Sequence, residues 1–287
     1  MKKYLSLVKF SHTIFAMPFA LLGFMLAYIN YGHERVGFLL LLVILCMVFA
    51  RSAAMAFNRY LDREIDAKNE RTAIREIPSG VITPSQALMF TVVCSIGFMI
   101  TTYFINHLCF LLSPIALSVV LGYSYTKRFT ALCHFVLGVG LGLAPVGSYL
   151  AISGVFDWEP ILVGLAVLFW VAGFDIIYAL QDEYFDRKEQ LFSVPAVIGG
   201  KNALILSRFV HIISASLMIV AVILMVSTYP QISWISWIGI AVFVSALIYQ
   251  QSLVKYNDLS RVNLAFFTTN GIASVLFSSV IIFDLLV

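Results

Sequence analysis

Residues 36–66 read VGFLLLLVILCMVFARSAAMAFNRYLDREID, an apolar run that ends in Asn58, Asp62 and Asp66 at intervals of four. Its apolar part, 36–57, is long enough as a helix to cross a hydrocarbon core, which takes about 20 residues. Four-residue spacing places the three polar side chains on one helical face, each a turn above the last. One helix is therefore predicted to cross the membrane and to run on through the acidic motif. Stacked carboxylates repel one another unless something cationic lies between them. In membrane helices such groups mark functional sites.

The pattern recurs further along. Asp175, Tyr178, Asp182 and Asp186 close another apolar stretch, and Tyr178, Asp182 and Asp186 align with Asn58, Asp62 and Asp66 at a constant offset. The chain has 287 residues, of which 61% are hydrophobic and 11% charged, so a water-soluble domain is excluded. Nine apolar stretches are long enough to span: roughly 10–31, 36–57, 85–105, 108–126, 131–152, 160–180, 203–227, 232–254 and 263–287. The predicted class is all-α: a polytopic membrane protein of nine transmembrane helices in one domain, 1–287. The matching motifs suggest two four-helix halves, 10–126 and 131–254, with a ninth helix added. The first span is too long for a cleavable leader, so none is expected.

Charge placement gives the orientation. Lys2, Lys3, Lys9, Arg51, Arg59, Arg63, Lys68, Arg71, Arg75, Lys127, Arg128, Arg187, Lys188, Lys201, Arg208, Lys255 and Arg261 all fall toward one side, and only Arg35 toward the other. Basic loops stay in the cytoplasm. The N-terminus and both acidic motifs are expected there, and the C-terminus outside. Segments 67–84 and 187–202 mix polar and apolar residues and are expected to fold as caps over a cytoplasmic cavity. Cys46, Cys94, Cys109 and Cys133 form no CxxC pair, which argues against zinc or a disulfide framework. Gly138, Gly140 and Gly142 lie mid-span and suit close helix packing rather than phosphate binding.

Asp62, Asp66, Asp182 and Asp186 facing one another would suit magnesium, which binds through a few carboxylates together with substrate phosphates. The alternative is that each aspartate forms an ordinary ion pair at a helix end. Asn58 extends the first column into the membrane, as a ligand or as a helix-packing hydrogen bond. Arg71, Arg75, Lys127 and Arg128 carry the complementary charge for a diphosphate, although such loops collect basic residues for topology as well. Asp175 lies deeper than Asp182 on the same face and needs a partner: Tyr178, a cation or a polar substrate. Lys9, His12, Tyr125 and Tyr178 are further candidates for lining an acceptor cavity.

The runs NRYLDREIDAKNERTAIREIPSG (58–80), YSYTKR (123–128) and YALQDEYFD (178–186) resemble the UbiA superfamily of intramembrane prenyltransferases over essentially the whole chain. The opening KFSHTIFAMPFALLG (9–23) is similar to its 4-hydroxybenzoate polyprenyltransferases. The resemblance implies nine helices around a central cavity with a cytoplasmic cap. It also implies Mg2+-dependent transfer of a prenyl chain from a polyprenyl diphosphate to an acceptor. Asn58, Asp62 and Asp66 match the first motif, Asp182 and Asp186 the second, and Arg71, Lys127 and Arg128 would assist the diphosphate. The second motif reads DEYFD, less acidic between its outer aspartates than in some relatives.

The partners expected are therefore a polyprenyl diphosphate, a small aromatic acceptor and membrane lipid, with no nucleic acid. 4-Hydroxybenzoate ranks first as acceptor and a dihydroxynaphthoate of menaquinone synthesis second; haem, chlorin and glycerol phosphate acceptors also occur in the superfamily. A phosphatidyl-alcohol transferase would need DGxxAR where this chain has DREIDAKNERT. A cation-coupled transporter would place its acids near the midplane at helix breaks, not at helix ends beside basic loops.

Overall fold

The structure, a computed structural model, describes residues 2–8 and 15–287. A short helix α1 (Lys2–Val8) is followed by α2 (Met17–Tyr31), α3 (Val36–Lys68), α4 (Pro84–Ile105), α5 (His107–Thr126) and α6 (Cys133–Ser153). Then come α7 (Trp158–Ala179), α8 (Glu183–Lys188), α9 (Val194–Ile198), α10 (Gly200–Thr228), α11 (Ile235–Leu253) and α12 (Asn270–Leu286). A π-helical turn, Leu264–Thr269, leads directly into α12.

Eight helices among the described residues are long and apolar enough to cross a membrane, counting α7 on through α8 to Lys188. The chain is an integral membrane protein. The expected first span, 10–31, is represented by α2, whose 15 residues make it shorter than the others. The predicted candidates Lys9 and His12 lie outside the described residues.

The expectation for residues 36–66 holds, since α3 runs unbroken for 33 residues through all three motif positions. The second motif differs. Between α7 and α8 the chain tightens into a 3-10 turn at Leu180–Asp182, where the Leu180 N–H bonds to the carbonyl of Ile177 three residues back. Asp182 thus sits in a 3-10 turn and not on a continuous α-helical column.

Local sequence explains the helix ends. Thr83 and Gln86 form a capping box at the start of α4, with Pro84 in the first turn. Asn106 caps α5 by accepting from the Cys109 N–H, and its amide donates to the Leu150 carbonyl of α6. Gly154 ends α6 in the left-handed conformation that glycine tolerates. Segment 69–83 is wound into consecutive turns, with Thr72 and Ala73 N–H groups on the Asn69 carbonyl and Ile82 N–H on Glu76. It forms an ordered cap.

The main core packs α2, α6, α7, α10, α11 and α12 around Trp170, with Phe19, Phe174 and Phe243 buried against it and Phe277 against Phe19 and Phe243. Gly138 and Gly142 let α6 lie directly on α7. A β-carbon at Gly138 would strike the Leu168 carbonyl, and one at Gly142 would come within 2.5 Å of the Gly164 carbonyl oxygen. Gly140 faces elsewhere, toward an apolar cavity of about 350 Å³ walled mostly by α3, α4, α5 and α6. The cavity lies on that side of the molecule because aromatic packing fills the α7, α10, α11 and α12 side.

Candidate active site

A second, polar cavity of about 140 Å³ lies where α3 ends, under the 69–83 cap. Its walls include Asn58, Asp62, Asp66, Asn69, Arg71, Thr72, Arg75, Lys127, Asp182 and Asp186. The helical face of α3 brings three of these, the 3-10 turn and α8 bring two, and the C-terminus of α5 brings Lys127. The structure thus places all four predicted aspartates at one cavity, with three of the predicted cations among them.

Each carboxylate meets basic or hydrogen-bonding groups from another element. Asp62 accepts from Lys127 Nζ at 2.7 Å, Arg128 Nη2 at 2.9 Å and the Asn58 amide at 3.1 Å. Asp66 pairs with Arg75 Nη1 at 2.6 Å. Asp182 holds Arg71 in a two-pronged contact and also accepts from the Asn69 amide at 3.0 Å. Asp186 accepts from Ser193 Oγ at 2.7 Å. Three of the four aspartates are thus ion-paired, as the alternative reading has it, but the pairs join separate segments around one cavity. Arg128 stands behind Asp62 and also donates to the Leu61 carbonyl at 2.9 Å.

Asp62 and Asp66 are almost wholly buried, and Asp66 Oδ2 has no hydrogen-bond partner. A buried carboxylate oxygen without a donor is costly unless a cation completes it. Among the described residues no three Asp, Glu, His or Cys side chains converge into a ready-made metal cage. On the cap, burial alone would lower the pKa of Arg71. The hydrogen bonds and charge of Asp182 outweigh that and hold the guanidinium above its ordinary value.

The remaining candidates separate. Asp175 finds its partner in His134, whose Nδ1 lies 2.7 Å from Oδ2, and His134 Nε2 accepts from the Val194 N–H at 3.2 Å. Tyr178 sits below Arg71, its hydroxyl 3.2 Å from Nη1 and its ring 4.2 Å from that of Phe266. Tyr125 is exposed and packs on Phe57, turned away from both cavities.

Two residues missed by sequence reasoning stand between the cavities. Arg51 and Tyr123 line the apolar cavity. Arg51 was grouped with the loop cations, yet it lies inside α3, and its Nε is buried without a partner. Its position seven residues before Asn58, two turns down the same face, was a legible signal. Asn69 and His134 gave none, because their partners are distant in sequence, and Ser193, seven residues from Asp186, carries no helical spacing across the turn between α8 and α9.

The UbiA prenyltransferase family model matches residues 16–272. This chain belongs to the UbiA prenyltransferase family. A 4-hydroxybenzoate octaprenyltransferase from Aliivibrio fischeri is 30% identical over 244 residues, 84% of this chain and 82% of that one. Among solved UbiA structures, the apo form of a homolog from Aeropyrum pernix K1 superimposes with a TM-score of 0.83 at 32% identity, covering 95% of this chain and 98% of that one. A UbiA homolog from Archaeoglobus fulgidus bound to DMAPP and Mg2+ shares the fold, with a TM-score of 0.72 at 22% identity and 99% of each chain covered.

Proposed function

We propose that this UbiA-family protein transfers a polyprenyl chain from a polyprenyl diphosphate to the ring of 4-hydroxybenzoate, with Mg2+, in quinone biosynthesis. The observation that supports this most is that the acidic and basic cavity adjoins the apolar one along α3 and α5. Ala54 of the apolar wall lies one turn from Asn58 of the polar wall, and Tyr123 one turn from Lys127. A substrate with a diphosphate head and an isoprenoid tail has that division. The activity of the Aliivibrio fischeri relative and the ligands of the Archaeoglobus fulgidus homolog support the same reading.

In the polar cavity Asp62, Asp66 and Asp182 already pair with Lys127, Arg128, Arg75 and Arg71, so an arriving diphosphate brings surplus negative charge. Asp62, Asp66, Asp182 and Asp186 are the residues that would hold Mg2+, and the orphaned Asp66 Oδ2 fits that role. The bound ion supplies positive charge against the departing diphosphate. Among the described residues too few such side chains converge for a closed cage, so these aspartates would hold the ion together with the substrate.

Arg71, Arg75 and Lys127 bind the diphosphate oxygens, while Asn58 and Arg128 orient Asp62. Arg51 receives the acceptor carboxylate at the polar end of the apolar cavity, where its unpaired Nε suits a charge-assisted hydrogen bond. As the C–O bond breaks, the apolar walls keep water from the allylic cation. The ring attacks through a carbon ortho to its hydroxyl and then loses that carbon's proton. The basic face is assigned to the cytoplasm and the C-terminus to the outside, by the charge bias of the loops.

The test uses protein reconstituted in lipid with Mg2+ and labelled octaprenyl diphosphate, given 4-hydroxybenzoate or a dihydroxynaphthoate. Prenylated 4-hydroxybenzoate, lost on chelation of the metal and in Asp62→Ala and Asp182→Ala, is the expected result. Product only from the naphthoate would keep the transferase and move it to menaquinone synthesis. Ion-driven uptake of solute without diphosphate release would replace the enzyme with a transporter.

A further inference from the structure

Helix α6 carries glycines on two different faces. Gly138 and Gly142 are pressed on α7, where a β-carbon meets backbone. Gly140 and Gly147 are not. A β-carbon at Gly140 would only touch Val120 Cγ2 at 3.8 Å, and one at Gly147 would have nothing within 4 Å. Neither glycine is required by packing or by a positive φ, since the positive-φ glycines are Gly32, Gly80, Gly154 and Gly199. Glycine in a helix interior is destabilising relative to alanine, so these two positions carry a cost without a structural return. Both line the apolar cavity, with Ala144 between them at helical spacing.

The cavity has a direction. Its polar end is marked by Arg51, with an unpartnered buried Nε, and by Tyr123, each a short distance along its helix from the polar cavity. From there α6 descends past Gly140 and, about 10 Å further on, Gly147. Midway along α5 the wall includes Ile115, and at the far end Phe156, which are 62% and 54% exposed. A chain longer than the cavity therefore has an apolar route out to the bilayer on that side.

We propose that the bare face of α6 at Gly140, Ala144 and Gly147 is the floor over which the donor's isoprenoid tail runs. Gly140 and Gly147 then keep that route open to long tails. The inference rests on the transferase reading above and adds the specificity determinant. A side chain at Gly140 closes the route near the polar end. A side chain at Gly147 closes it later, so the two blocks act at different tail lengths. That ordering follows from position along one helix and does not depend on how the head group is held.

The experiment compares Gly140→Leu, Gly147→Leu and Gly37→Leu with the unaltered protein, using geranyl, farnesyl, geranylgeranyl and octaprenyl diphosphates with one acceptor. Gly37 also has open space around its missing β-carbon, but it lies outside the cavity wall and controls for leucine in a helix. Unfolding temperature in detergent shows that each variant is folded, and Gly37→Leu is expected to keep the donor profile of the unaltered protein. Gly140→Leu is expected to lose about tenfold or more in kcat/KM from farnesyl upward, and Gly147→Leu only for the longer donors. Unchanged donor ratios in both variants would overturn the proposal and send the tail along another route. Equal losses with every donor, the shortest included, would also overturn it, because the glycines would then serve the fold or the head group. No product from the unaltered protein with any donor would instead overturn the transferase reading itself.

Discussion

At Asp66 one carboxylate oxygen is held by Arg75 while the other is buried with no partner. Asp66→Asn keeps the shape but removes the charge that balances Arg75 and would ligate a cation. We expect kcat to fall by about 100-fold or more, the scale of losing one electrostatic group in an active site. The apparent Mg2+ requirement should rise in the same turnover assay, an effect that a loss of stability from the unpaired Arg75 would not by itself produce. Arg51 makes a separable contribution, because it lines the apolar cavity and touches no aspartate among the described contacts. Arg51→Gln should raise the acceptor KM by roughly 10- to 100-fold, as a charge-assisted hydrogen bond is worth about 1.5–3 kcal/mol. The KM for the diphosphate donor should stay where it is. Equal rises in both would place Arg51 with the diphosphate residues. Both sites were partly legible: Asp66 from its spacing, and Arg51 only had its distance from Asn58 been counted.

Among the elements, α6 and the segment after α8 decide how the polar cavity is framed. His134 ties α6 to α7 through Asp175 and to the start of α9 through the Val194 N–H. The adjoining Phe192 N–H donates to the Lys127 carbonyl, and Ser193 donates to Asp186. His134→Ala frees that segment and with it two predicted diphosphate and metal residues. The expected result is a raised KM for the diphosphate with a smaller change in kcat. Restoration is expected in His134→Gln, whose amide can both donate and accept. Failure of glutamine to restore the KM would reduce His134 to a packing residue. Gly142 tests the other face of the helix. In Gly142→Ala the new methyl group would press on the Gly164 carbonyl oxygen and force α6 off α7. Overpacking of this kind costs about 1–3 kcal/mol, so a lower unfolding temperature in detergent is expected. The second motif also belongs to this scale. Its spacing reads as a continuous helix, but the 3-10 turn at Leu180–Asp182 interrupts it, and periodicity does not encode a local tightening of the ladder.

For the whole molecule, the charge bias of the loops predicts the cap and the polar cavity on the cytoplasmic side. Ser79→Cys in the cap and Glu34→Cys beside Arg35 provide the check, in a background without the four free cysteines. A membrane-impermeant thiol reagent applied to intact cells should label position 34 and leave position 79 unlabelled; the reverse pattern would invert the topology. The sequence by itself determined the membrane class, the long helices and the residue types of the site. These depend on hydrophobic length and helical period, which are properties of a short window of chain. Only the tertiary structure decided which partners those residues have. The contacts of Arg71 with Asp182, Lys127 with Asp62, Ser193 with Asp186 and His134 with Asp175 join different helices and caps. The cavity at α3–α6, and the division of the α6 glycines between packing and lining, are likewise set by how the helices pack, which no single window of sequence encodes.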